Sequence, residues 1–373
     1  MRKGILGLTA AAAALSLGLT ACGGDSGDTT DAASSGAPAS SAAAKPGKIG
    51  VILPDSKSSP RWETADHKYL EEAFKTAGVA YDIQNAQNDK TAFQTIADQM
   101  ITNGATVLAI VNLDSGTGKA VIDKAKAQGV PVIDYDRLTL GGGASYYVSF
   151  DNTKVGTLQG EGLVKCLADK KVDKPLIAEL NGSPTDNNAT LFKAGYDGVL
   201  KPKYDSGEFE KGPDQSVPDW DPVKGGTIFE QMLTSSPKIA GVLAANDNLG
   251  NAAITVLKKQ KLNGKVPVTG QDAGVQGLQN ILNGDQCMTV YKAVKKEADA
   301  AAELAIALAK GEKPTVNGTV KDTETNQDVP SVLLDPQSIT FDNVKDVVAD
   351  GFVTKDELCK GEFAAKCTEA GVQ

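Results

Sequence analysis

The sequence predicts an α/β protein built as two similar three-layer lobes, each a parallel sheet covered by helices. Three observations carry this. Strand and helix signals alternate with little interruption from Lys48 onward. That alternation comes in two successive runs, before and after the string "YYVSFDN". Roughly 325 residues follow the N-terminal segments, too many for one small core and suited to two lobes.

In the first run "KIGVILP" reads as a strand. The following "RWETADHKYLEEAFKTAG" is a helix, with Trp62, Asp66, Tyr69, Leu70, Ala73 and Ala77 on one face and Gly78 as its stop. "AFQTIADQMITNG" repeats the helix, "TVLAIV" the strand, "GKAVIDKAKAQG" the helix and "VPVIDYD" the strand. The second run proceeds through "DNTKVGTLQGEGLVKCLADK", "PLIAEL", "NATLFKAGYDGVL", "GGTIFEQMLTSS", "AGVLAAND", "NAAITVLKKQ", "KVPVTGQD", "VQGLQNILNG" and "CMTVYK". A long helix, "EADAAAELAIALAKG", and one extended stretch, "VPSVLLDPQSIT", complete the pattern.

The N-terminus has a separate character. Residues 1–21 have two cations, a short small-residue apolar run and a small-residue approach to Cys22, the layout of a secretory signal peptide. Leu19-Thr20-Ala21-Cys22 resembles a bacterial lipobox, which implies a lipidated Cys22 and a protein exported and anchored by lipid to the outer face of the cell membrane. Residues 22–47 have no bulky apolar side chain after Cys22 and read as a disordered tether.

Removing Arg2 and Lys3 from the 38 basic residues leaves 36 against 47 acidic ones, a formal charge of −11. Nucleic acid is therefore not an expected partner. A single His makes metal binding improbable, and no cofactor motif is present. "LDSGTGKA" resembles a phosphate loop only superficially, since Leu113 stands where the first Gly is required and Ala120 where Ser or Thr is. Export permits disulfides. The short loop makes Cys359–Cys367 the first choice, and Cys166–Cys287 follows by elimination.

Polar residues collect where apolar strands end, which in an open α/β sheet is the ligand-facing edge. Arg61 and Trp62 follow the opening strand; Asp136-Arg137, Asn246-Asp247, Gln271-Asp272 and Tyr291-Lys292 end later ones, and "SPTDNN" supplies Asn187 and Asn188. Carboxylates only accept hydrogen bonds, cations only donate, and amides do both. That mixture suits a ligand whose groups each donate and accept, as vicinal hydroxyls do. Trp220 adds a flat apolar face for the C–H side of a sugar ring.

The chain from about Lys48 to Leu358 resembles the xylose-binding proteins of bacterial ATP-driven sugar importers, within the wider ribose- and galactose-binding periplasmic family. The strings that carry the resemblance are "RW" after the first strand, "YDR", "SFDNTKVG", "SPTDNNATLFKAG", "VLKPKYDSG", "AANDN", "NGKVPVTGQDA", "MTVYK" and "DVPSVLL". "DQSVPDW" departs from the family pattern in having one tryptophan where the family has two. The resemblance implies the type I periplasmic binding protein fold, and a sugar-contacting set of Arg61, Asp136, Arg137, Asn188, Trp220, Asn246, Asp272 and Lys292. It implies a monosaccharide ligand, D-xylose first, with glucose, arabinose or galactose as competitors. A membrane permease and its ATPase are the implied partners of a monomer.

Such a set binds and does not react. Asp136 beside Arg137, and Asp272 near Lys292, are expected to stay ionised, because opposite charges depress an acid's pKa. A glycosidase needs one carboxyl held protonated near neutral pH. The lone His67 on the flank of the first helix offers no hydrolytic triad.

Burying acids and cations together is costly unless each finds a partner, so the lobes are expected to close around sugar by hinge motion. Three crossings are expected: near Asp151-Asn152, just after Lys292 and near Val329-Pro330. The N-terminal lobe is then 48–151 with about 293–329, and the C-terminal lobe 152–292 with about 330–373. A sugar-responsive transcription factor would need a basic helix-turn-helix where this chain has its leader. A membrane-anchored sensor subunit presenting bound sugar to a receptor is the remaining alternative.

Overall fold

The computed structural model describes residues 47–373. The expected signal peptide, the lipidation site at Cys22 and all but the last residue of the expected tether lie outside the described residues.

Along the chain, β1 (Lys48–Leu53) leads through a wide helical turn, Trp62–Asp66, into α1 (His67–Ala77). β2 (Tyr81–Asn85), α2 (Lys90–Thr102), β3 (Ala105–Ile110), α3 (Ser115–Ala127), β4 (Val132–Tyr135) and β5 (Tyr146–Phe150) follow. The second run comprises α4 (Asn152–Asp169), β6 (Leu176–Asn181), α5 (Asn187–Asp205), β7 (Glu210–Ser216), α6 (Pro222–Ser235), β8 (Ile239–Ala244), α7 (Asp247–Lys259), α8 (Val275–Asn283) and β9 (Thr289–Tyr291). The chain closes with α9 (Val294–Ala309), β10 (Gly318–Lys321), β11 (Asp328–Leu334), β12 (Gln337–Ile339), α10 (Val344–Ala349), α11 (Lys355–Leu358) and α12 (Phe363–Glu369).

The first lobe is a seven-stranded sheet in the order β10-β11-β5-β4-β3-β1-β2, parallel except for the β10–β11 hairpin. The second holds the parallel order β7-β6-β8, extended by a bridge from Val242 to Val268, with the antiparallel pair β12-β9 beside it. Alternate residues of a strand face opposite sides of a sheet, and β1 shows the consequence. Ile49, Val51 and Leu53 pack with α1 and α9, while Ile52 joins Phe93, Met100 and Leu108 on the other face. Each such side chain, when fully buried, contributes about 1.5–3 kcal/mol. The second lobe has its own core around Leu180, Phe192, Phe229 and Leu243.

Several segments differ from the sequence reading. β2 and β7 were not anticipated, because "YDIQN" and "EKGPDQS" are edge strands, largely half-exposed, and their polar composition hides the strand period. "KVPVTGQD" forms only the single bridge at Val268: there the Thr269 hydroxyl donates to Ala244 O and accepts from Ala244 N, both at 3.0 Å, in place of a backbone ladder. "VPSVLLDPQSIT" is two strands rather than one. Ser331–Leu334 pair with Tyr147–Phe150 in the first sheet, whereas Gln337–Ile339 pair with Tyr291–Thr289 beside the second. The third crossing therefore falls after Leu334, at Asp335-Pro336, and not near Val329-Pro330.

Helices α4 and α5 meet backbone to backbone. A Cβ on Gly195 would lie 2.1 Å from Thr153 O, so only glycine permits this approach. The contact brings the first turns of both helices together, and Asn152 Nδ2 donates to Asn188 Oδ1 at 3.0 Å.

Candidate functional site

The N-terminal half of the site begins with the loop after β1. Asp55 Oδ1 accepts from Lys57 N and Ser58 N, both at 2.6 Å, and folds the loop so that Ser58 and Ser59 face inward. Ser58 Oγ accepts from Trp62 Nε1 at 3.1 Å, fixing the indole. The guanidinium of Arg61 lies 4.5 Å from the Trp62 ring centroid and that of Arg137 5.6 Å from it, so one indole steadies two cations.

At the end of β4 the two aspartates take different roles. Asp134 faces away from the cavity, accepting from Thr139 N at 2.6 Å and Thr139 Oγ1 at 2.7 Å; burial pushes its carboxyl up to about 7. Asp136 faces the cavity with a left-handed backbone, φ 62°, an uncommon conformation for a non-glycine residue. Its carbonyl is held by Ser149 Oγ at 2.8 Å, Asn188 Nδ2 at 2.9 Å and Tyr147 OH at 3.2 Å. Burial alone would raise its carboxyl, but Lys292, Arg61 and Arg137 together hold it down to about 2.

The C-terminal half supplies the opposite wall. Asp186 caps α5, accepting from Asn188 N at 2.9 Å, and its other oxygen accepts from Trp220 Nε1 at 3.0 Å and pairs with Arg137 Nε at 3.0 Å. Asp219 and Trp220 are both left-handed, at φ 60° and 55°, which turns the indole inward against Gly182. A Cβ on Gly182 would lie 2.0 Å from that ring, so the residue must be glycine for the indole to sit there. Phe192 meets Trp220 edge to face with centroids 6.3 Å apart. Asp272, also left-handed at φ 96°, lies 3.5 Å from Lys292 Nζ through Oδ1, and Lys292 reaches Asp136 Oδ2 at 3.4 Å.

All eight sequence-predicted residues line one cavity of about 320 Å3, counting the part open to solvent. Their pairing differs from expectation in one respect. The closest cations to Asp136 are Arg61 at 3.1 Å and Lys292, while its neighbour Arg137 leans across to Asp186. Successive residues diverge here because the left-handed turn at Asp136 sends the two side chains apart. Asn188 and Asn246 line the cavity with much of their hydrogen-bonding capacity used inside the protein. Asn246 Oδ1 caps α7 through Leu249 N at 2.9 Å, and its Nδ2 crosses to Ser58 O at 3.2 Å.

Sequence reasoning noted Trp62 and Gln271 without assigning them, and missed Ser58, Ser59, Asp186 and Phe192. Phe192, four residues after Asn188 and so on the same helical face, was legible in principle. Asp186 resembled an ordinary helix cap, which it also is. Gln271 Oε1 and Asp272 Oδ1 are buried without a hydrogen-bond partner. Buried acceptors normally find donors, and a ligand with several hydroxyls supplies them. Each of Cys166–Cys287 and Cys359–Cys367 lies at disulfide distance, with Cα atoms 6.3 Å and 5.7 Å apart. No group of His, Cys, Asp and Glu suited to a metal ion occurs among the described residues.

The chain is 37% identical over 317 residues to the D-xylose-binding periplasmic protein of Escherichia coli (strain K12), covering 84% of this chain and 93% of that one. It is 32% identical over 333 residues to the multiple sugar-binding periplasmic receptor ChvE of Rhizobium radiobacter, covering 85% and 94%. A solute-binding protein of an ABC transporter from Clostridium phytofermentans, solved with β-D-glucose, superposes with a TM-score of 0.77 at 30% identity, covering 83% of this chain and 99% of that one. The periplasmic binding protein domain model matches residues 49–313. The chain belongs to the periplasmic binding protein family, whose members hold substrates and are not enzymes.

Proposed function

We propose that the chain is the exported, lipid-anchored substrate-binding protein of a sugar importer. It takes a monosaccharide, D-xylose first, between two lobes that close on it, and delivers it to a membrane permease served by an ATPase. The observation that carries this reading is the cavity itself. Acceptor-only carboxylates, donor-only cations and two indoles converge on one space, the mixture that hydroxyl groups on a sugar ring satisfy.

The ionised state of Asp136 supports binding without reaction, since a carboxylate held near 2 is a poor proton donor at neutral pH. The cross-lobe contacts from Asn246 to Ser58 and from Asn188 to Asp136 support closure, because each hydrogen bond exists only when the lobes meet. Relatives named for D-xylose, for multiple sugars and for bound glucose support the monosaccharide class and rank xylose and glucose as the first two candidates. Titration calorimetry against D-xylose, D-glucose, L-arabinose and D-galactose tests the reading. Saturable heat with at least one is expected, and no heat with any of them rejects it.

A sensor subunit is the second reading, favoured by one observation: the relative ChvE is named a receptor. Uptake of labelled sugar in a strain lacking this protein separates the two. Transport predicts lost uptake, whereas sensing predicts normal uptake with a lost transcriptional response.

A further inference from the structure

Behind the cavity wall, Arg61 is gripped by three carboxylates. Its Nε and one Nη2 N–H engage Asp66 at 2.9 and 2.7 Å, Nη2 also reaches Glu297 Oε2 at 2.6 Å, and Nη1 reaches Asp136 Oδ2 at 3.1 Å. A guanidinium has five N–H donors, so one N–H on Nη1 remains for whatever occupies the cavity. Its direction is set by the two groups that fix the guanidinium plane from behind. Asp66 is itself held by Tyr135 OH at 2.6 Å. Glu297, on the first turn of α9, is 0% exposed, lies outside the cavity lining, and leaves Oε1 buried with no partner.

The charged and titratable groups around Glu297 come from several elements. Arg61 and Asp66 belong to the turn before α1, Tyr135 and Asp136 to the end of β4, Tyr147 to β5, and Lys292 to the residue after β9. Asp66, Asp136, Glu297, the Asp272 carboxylate on Lys292 and the Asp186 carboxylate on Arg137 thus face three cations, Arg61, Lys292 and Arg137, which also acts on Asp136. Burial pushes the Glu297 carboxyl up, and Asp136 and Asp66 add to that against the pull of Arg61 and Lys292. Asp136 moves the opposite way under Lys292, Arg61 and Arg137, while Glu297 Oε1 is a carboxylate oxygen of this cluster that no hydrogen bond engages.

We propose that Glu297 is the positioning residue that aims Arg61 at the ligand, and that it takes up one proton from solvent or buffer, on Oε1, as the lobes close over sugar. The inference rests on the sugar-binding reading above. Closure removes water from the cluster, which disfavours the excess negative charge. No bond in the sugar changes. The sign follows from linkage: a carboxyl whose bound-form pKa exceeds its free-form value gives full affinity below the free-form value, lost as pH rises through the bound-form value.

The test is titration calorimetry of the unaltered protein with D-xylose and D-glucose in phosphate and in Tris at about pH 7.5, where both buffer and their ionisation heats differ, with the affinity followed from about pH 6 to about pH 8.5. Expected results are a buffer-dependent heat reporting net proton uptake, and an affinity about tenfold weaker at the higher pH. Glu297→Gln, which keeps the side chain's shape but cannot take up a proton, is expected to abolish the buffer-dependent heat and to lose the pH dependence of the affinity. Should that variant fail to fold, the proton count in the unaltered protein decides. Heat that is identical in both buffers, with a flat pH profile, overturns the proposal while leaving sugar binding intact. Silence from both sugars overturns it together with the xylose and glucose assignment.

Discussion

Lys292 Nζ lies 3.4 Å from Asp136 Oδ2, joining the residue after β9 to the end of β4 across the boundary between the lobes. The same ammonium is 3.5 Å from Asp272 Oδ1, so one cation balances two acids contributed by different halves of the chain. Each of the three is less than a tenth exposed, a depth at which an unpaired charge is expensive.

Asp272→Ala is expected to weaken sugar binding by roughly 2–5 kcal/mol, the range for truncating one member of a buried charged network. The unliganded fold should persist, because Lys292 keeps Asp136 as its counter-ion. Calorimetry with circular dichroism as the folding check decides it, and unaltered affinity would remove Asp272 from the site.

The chain has two tryptophans and both line the cavity. Saturating sugar should therefore change the intrinsic fluorescence with the same midpoint as the calorimetric titration. Gly182→Ala should weaken binding, since its new Cβ would meet the Trp220 ring at 2.0 Å, and overpacking of this kind costs about 1–3 kcal/mol. Sugar-independent fluorescence would show that neither indole is in contact with ligand.

Asp134 provides a pH prediction with a defined sign. Its folded-state carboxyl, raised by burial to about 7 against 3.8 unfolded, binds more protons in the folded state between those values, so its contribution to stability falls as pH rises through that window. Asp136 acts oppositely, adding stability above 3.8 that disappears as pH falls toward about 2. Asp134→Asn can still accept from Thr139 N, and should stabilise the protein at about pH 8 by about 1–3 kcal/mol while flattening its profile. Thermal melts from about pH 5 to pH 8 measure this; a melting temperature lowered at every pH would reject it.

The cysteine pairs give a stability prediction that depends on loop length. Cys166 and Cys287 are 121 residues apart and Cys359 and Cys367 only 8. Removing the first pair as Cys166→Ser with Cys287→Ser should cost about 2–4 kcal/mol, and removing the second less, because longer loops restrict the unfolded chain more. Thiol labelling of exported protein without reductant should find all four protected. Reaction at both Cys359 and Cys367 would refute that pairing.

Much of the site was readable because each residue stands where an apolar strand ends, and strand ends of a parallel sheet share one edge. That rule points to Arg61-Trp62, Asp136-Arg137, Asn246-Asp247, Gln271-Asp272 and Tyr291-Lys292, and the choice within each pair came from the family resemblance. Asp66 and Glu297 do not follow from it, although they hold Arg61 more closely than any residue in the cavity does. Glu297 is 236 positions from Arg61, on a helix whose sequence reads as an ordinary alanine-rich amphipath. Nothing local marks it as part of a binding cluster.

The sequence by itself determined the alternating elements, the two lobes and the type of chemistry at their edges, because hydrophobic period and strand-end polarity are local properties of the chain. Only the tertiary structure decided which acid pairs with which base, where the last crossing falls, and which carboxylates stand behind the site. Those outcomes depend on backbone turns such as the left-handed one at Asp136 and on contacts between segments far apart in sequence, where burial and distance, rather than adjacency, set the strength of each interaction.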